Sequence, residues 1–135
     1  MTGYSGTPLW KKLGFKAGAR VCVPNAPPGY HEWVAPLPDG ATIHAMGGKG
    51  DCDIVHIFVD SLAALERELK RARTLIRRDG AIWVSWPRKS ARIATDIDEN
   101  CIRSLALKTD LVDVKVCAVS EVWSGLKLVV RAHLR

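Results

Sequence analysis

Apolar residues along this chain follow two rhythms. Short, nearly unbroken apolar runs occur at 19–24 (ARVCVP), 41–46 (ATIHAM), 53–60 (DIVHIFVD) and 81–86 (AIWVSW). Such runs predict short strands, and DIVHIFVD, polar only at His56 and its ends, predicts a central parallel strand covered on both faces. Between the third and fourth runs the rhythm changes. Leu62, Leu65, Leu69, Ala72, Leu75 and Ile76 recur at helical spacing with charges between them, which predicts an amphipathic helix. Asp60 or Ser61 caps it, and the Asp79-Gly80 turn ends it.

The flanking segments complete the pattern. Near the start, Thr7 can cap a short helix with Pro8 in its first position, Leu9 and Leu13 on one face and Gly14 as the stop. The stretch NAPPGYHEW, 25–33, contains adjacent prolines and reads as an irregular loop. GGKGD, 47–51, reads as a mobile connection, because it lacks the spacing and the following Ser/Thr of a phosphate-binding P-loop. After a basic loop, a second helix is expected from about Asp96 to Leu107, with Thr95 or Asp96 as cap and Glu99 supporting the first turn. Two β-rich segments, LVDVKVCAVS and LKLVVRAHL, close the chain around EVWSG. Strands alternating with helices, followed by two successive strands, predict one α/β domain over residues 1–135. Its sheet is mostly parallel and Rossmann-like, with helices on both faces and a C-terminal antiparallel hairpin.

Length supports this reading. A chain of 135 residues fits a single domain and buries about 68% of its unfolded surface, so it needs neither metal nor disulfide to fold. The N-terminus lacks the apolar core of a signal peptide, and no apolar run approaches the roughly 20 residues of a membrane span. The expected location is the cytoplasm. There the four cysteines, at 22, 52, 101 and 117, are expected as free thiols.

Charge adds one alternative. The net charge of +6 suits an acidic partner such as nucleic acid. Much of the excess lies in Lys70, Arg71, Arg73, Arg77 and Arg78, with Arg88, Lys89 and Arg92 further on. Cations at the end of a helix are also favoured by its dipole, so a solvated helix face explains the first group without a partner.

The segment from DIVHIFVD through RRDGAIWVSWP to the closing hairpin resembles the second half of a class I methyltransferase fold. Separately, GYSGTPLWKKLG and LVDVKVCAVSEVWSGLKLVVR resemble the signatures of a small bacterial family of unknown function, which brings no activity with it. The methyltransferase resemblance implies a glycine-rich turn after the first strand, where backbone approaches S-adenosylmethionine, and an acidic residue ending the second strand. This chain departs from both. Its first turn is Asn25-Ala26-Pro27-Pro28-Gly29-Tyr30, and its second strand runs out into Ala45-Met46-Gly47. No cofactor is therefore expected.

Ligands of open α/β sheets gather at the carboxyl ends of the strands. The topology would place Asn25, Tyr30, Trp86, Lys89, Glu121 and Trp123 on that rim, and these six are the candidate ligand pocket. Each has a simpler role open to it: Asn25 in an Asx-turn, the indoles closing the core, Glu121 as a surface charge. His56 and Cys52, four apart, could share one side of a strand, but no further ligands complete a metal site, and His56 reads as a satisfied core histidine. No nucleophile elbow is present, and no catalytic residue is assigned. The function expected is a non-catalytic binding or protein-interaction module on a reduced methyltransferase-like fold. Its partner would be a small ligand, another protein or a second copy. The alternatives are a small transferase with a degenerate site at the same rim and nucleic-acid binding through the basic helix face.

Overall fold

The computed structural model describes residues 6–135. Six strands form one sheet: β1 (Arg20–Cys22), β2 (Thr42–His44), β3 (Cys52–Phe58), β4 (Ile76–Pro87), β5 (Leu111–Ala118) and β6 (Trp123–Val130). Their order is β2-β1-β3-β4-β6-β5. The first four are parallel, and β6 runs antiparallel to both β4 and β5. The mostly parallel sheet with a closing antiparallel hairpin is the architecture expected from the sequence.

The two long helices, α3 (Leu62–Leu75) and α4 (Glu99–Leu107), pack on one face of the sheet. Leu65, Leu69, Ala72 and Leu75 are buried there against Val55, Ile57, Ile82 and Val84. The other face is covered by two single-turn helices, α1 (Leu9–Lys12) and α2 (Tyr30–Trp33), and their flanking loops. Trp83 is the largest side chain buried on that face, and its indole N–H donates to the Leu13 carbonyl at 2.9 Å. One hydrogen bond thus ties the N-terminal segment to the centre of the sheet.

Several local expectations are corrected. The loop 25–33 contains α2, because Gly29 adopts a left-handed conformation (φ 88°) that turns the chain into a helical turn after the prolines. Helix α3 stops at Leu75, and β4 begins at once with Ile76 instead of after the Asp-Gly pair. Residues 77–80 are looped out between the Cys52↔Ile76 and Ile54↔Ala81 pairs. Gly80 is required there, since a Cβ would lie 2.6 Å from the Asp53 carbonyl oxygen. Ser61 caps α3 by accepting from the Ala64 N–H, and Asp98 caps α4 by accepting from the Cys101 N–H. Asp96 instead accepts from Leu62 N–H, bracing the start of α3.

Nor do all four cysteines remain free. Adjacent β1 and β3 bring Cys22 and Cys52 to a Cα–Cα distance of 6.3 Å, and the two form a disulfide, while Cys101 and Cys117 stay free. The register shift between Cys52 and Ile54 also turns Cys52 toward the α3/α4 face, away from His56. No helix among the described residues is long and apolar enough to cross a membrane.

Candidate functional site

The opening turn is the natural place to look for a ligand, and this chain's own side chains fill it. Asn25 lies three residues beyond the end of β1. Its amide donates to the Phe58 carbonyl at 2.7 Å and accepts from the Phe58 N–H at 3.3 Å. The side chain thereby extends the β1–β3 ladder by one rung. Beyond the prolines, Tyr30 turns inward and is only 1% exposed. Its ring meets Phe58 edge-on at 5.7 Å, and Phe58 in turn stacks on His56 at 4.4 Å and meets Trp123 at 5.0 Å.

Beneath this aromatic cluster lies a buried polar chain. The Tyr30 hydroxyl is 2.8 Å from His56 Nδ1, and His56 Nε2 is 2.7 Å from Ser85 Oγ. Burial pushes the His56 imidazole down to about 3 and raises the Tyr30 phenol. The imidazole is therefore neutral near pH 7. One of its nitrogens donates, the other accepts, and the two hydroxyls take the complementary roles. A serine 2.7 Å from a histidine meets the first geometric condition for an activated nucleophile. Access is the missing condition: His56 and Ser85 are fully buried, and even a Cβ on Gly125 would come within 3.4 Å of Ser85 Oγ. His56 is the satisfied core histidine that the sequence suggested.

The end of β2 carries no carboxylate. It leads through Ala45 and the exposed Met46 to Gly47, which lies against the buried sulfurs. A Cβ on Gly47 would stand 2.7 Å from both Cys22 Sγ and Cys52 Sγ. Among the described residues no group of His, Cys, Asp and Glu is arranged to hold a metal ion.

The open cleft on this rim lies further along, where β4 ends. It measures about 480 Å3 and is lined by Trp86, Arg88, Lys89, Asp98, Glu99 and Ser124, among others. Trp86 forms a mostly buried wall. The Cys101 N–H, with a smaller contribution from the Lys89 charge, holds the Asp98 carboxyl below its ordinary value. Glu99 pairs with Arg103, which also binds Asp113 at 2.9 Å. The cleft thus presents Arg88 and Lys89 opposite fixed carboxylates, beside an indole.

The six sequence-derived candidates do not converge on one pocket. Trp86 and Lys89 line the β4 cleft. Asn25, Tyr30 and Trp123 cluster around Phe58 on the opposite face, and Glu121 is exposed in the hairpin turn. The register explains the split. Trp86 pairs with Ser124 and Pro87 with Trp123, so the two indoles occupy successive rungs and point to opposite faces. Sequence reasoning missed Asp98, Glu99 and Asn100 as lining residues. The sequence pointed to Thr95 or Asp96 as the cap of this helix, whereas Asp98 is the residue that caps it. The basic run is divided as well. Arg73 is bound bidentately by Asp110, and Arg77 lies near Asp53 and Asp79, so neither belongs to a free cationic face.

No protein-family model and no curated protein matches the chain. Solved structures do. A SAM-dependent methyltransferase from Aquifex aeolicus is similar over 89% of this chain and 86% of its own, at 10% identity and a TM-score of 0.57. A tRNA methyltransferase from B. subtilis is similar over 90% of this chain and 63% of its own, with 10% identity and a TM-score of 0.58. A SAM-dependent O-methyltransferase from Thermotoga maritima gives 90%, 63%, 10% and 0.57 for the same measures. At such low identity the likeness speaks to architecture, and the strand order and closing hairpin agree with it: the chain has a Rossmann-like, methyltransferase-like fold.

Proposed function

We propose that this protein is a non-catalytic binding module on a methyltransferase-like fold, and that it does not take S-adenosylmethionine at its opening turn. One observation carries the reading: Asn25 and Tyr30 occupy that turn and spend their polar groups on Phe58 and His56. A cofactor there would need backbone approach at Ala26 and Gly29. It would have to displace a buried tyrosine and leave the Phe58 backbone and His56 unpaired, at a cost of about 1–3 kcal/mol for each orphaned group. The ligand-facing part of the rim is instead the β4 cleft, where Trp86, Arg88 and Lys89 suit a small planar or anionic group.

Calorimetric titration with S-adenosylmethionine and S-adenosylhomocysteine tests this reading. The expected result is no saturable heat at micromolar concentrations. A transferase, the second reading, is favoured by the solved structures that share the fold. Micromolar binding of either compound would overturn the first reading, and methyl transfer from the bound S-adenosylmethionine would establish the second.

A further inference from the structure

The opposite edge of the sheet, where the parallel strands begin, carries lysines without acidic partners. Lys115 and Lys127 face each other directly across the β5–β6 pair, an arrangement of like charges that destabilises a sheet. They project on the same side as Gly125 and Cys117, toward the N-terminal segment. That segment contributes two more. Lys16 lines the same cleft as Lys127, and Lys12 and Lys115 both act on the Cys117 thiol. Burial, then the charges of Lys115 and Lys16, push the Lys127 ammonium below its ordinary value. All seven ion pairs among the described residues use arginine as the cation, and none involves any of these four lysines. The carboxylates lining the cleft are already engaged. Asp53 accepts from the Arg20 N–H at 2.8 Å and lies 3.9 Å from Arg77, and Asp79 lies 3.6 Å from Arg77.

The cleft has room for a ligand. It measures about 530 Å3 and runs between residues 13–19 and the looped-out stretch around Gly80, within the volume range of small-molecule sites. The Lys127 ammonium lies over Gly14, 3.9 Å from where a Cβ would stand.

We propose that this cleft binds a small molecule through a phosphate or diphosphate group, held by Lys16 and Lys127 with Lys115 adding charge from the next strand. Lysines serve phosphate as mobile point charges, and a multiply charged anion neutralises several of them at once. Such a ligand offsets the cross-strand repulsion that the unliganded protein carries. The site is separate from the β4 cleft, and it stands whether or not the opening turn takes S-adenosylmethionine.

Pyrophosphate is the probe, with wild type, Lys127→Gln and Lys16→Gln compared by thermal unfolding and by amide shifts of Gly14, Lys16 and Lys127. Pyrophosphate should raise the wild-type melting temperature saturably. Each substitution should weaken the apparent affinity at least about tenfold, the loss expected for one good charged contact. Lys127→Gln should itself melt no lower than wild type, since it removes a like-charge neighbour. Equal stabilisation of wild type and both variants, or no response in wild type, overturns the proposal. So does binding of duplex DNA or RNA with a steep salt dependence and no response to pyrophosphate, which would mark the lysines as a polyelectrolyte face.

Discussion

His56 makes the buried polar chain measurable through pH. Its imidazole, fully buried between Tyr30 and Ser85, is held at about 3, whereas the unfolded chain has the ordinary value of 6.5. Between those values the unfolded state binds a proton that the folded state refuses. Stability therefore falls as pH drops from 6.5 toward 3, and it is fully present only above 6.5. Integrating the one-proton linkage gives a loss of about 2 kcal/mol between pH 7 and pH 5. The carboxyls of Asp98, Asp110 and Asp113 are lowered from 3.8, so their share is lost only at more acid pH. Urea unfolding midpoints at pH 7, 6 and 5, compared with those of His56→Asn, isolate the histidine, whose removal should flatten the dependence. A folded-state imidazole resonance for His56 that titrates near 6.5, or a midpoint equally pH-dependent in both proteins, would refute the reasoning.

Two further perturbations probe the same packing. Tyr30→Phe keeps the ring contacts with Phe58 but leaves His56 Nδ1 without its partner, and should cost about 1–3 kcal/mol by urea unfolding with an unchanged m-value. Gly80→Ala would drive a methyl to 2.6 Å from the Asp53 carbonyl, and should lower stability by about 1–3 kcal/mol in the same assay.

Elements whose signal lies within a single run of sequence were legible. The unbroken apolar stretch of β3, the helical spacing of α3 and the two β-rich closing segments each carry their own pattern, and each forms as that pattern requires. What escaped depends on register or on one backbone angle. Trp86 and Trp123 part company because they fall on successive rungs of β4–β6, and neither strand alone fixes that offset. Cys52 left the side of His56 at a bulge in the β3–β4 pairing, and the β1–β3 pairing on its other side brought it to Cys22, 30 residues away. Helix α2 depends on Gly29 adopting a positive φ just after prolines that otherwise signal irregular chain. The candidate rim was half visible. The ends of β3 and β4 fell within a residue of where their apolar residues stop, β1 and β2 ended earlier, at Cys22 and His44, and side-chain direction divided the rim between two faces of the sheet.

Amide spectra recorded during titration with S-adenosylhomocysteine test the closed turn most directly. If Asn25 and Tyr30 hold it shut, the resonances of Ala26, Gly29, Tyr30 and Met46 will stay in place up to millimolar ligand. Saturable movement of those same resonances at micromolar ligand would contradict the account, since the nucleoside would then be lodged where the tyrosine is packed.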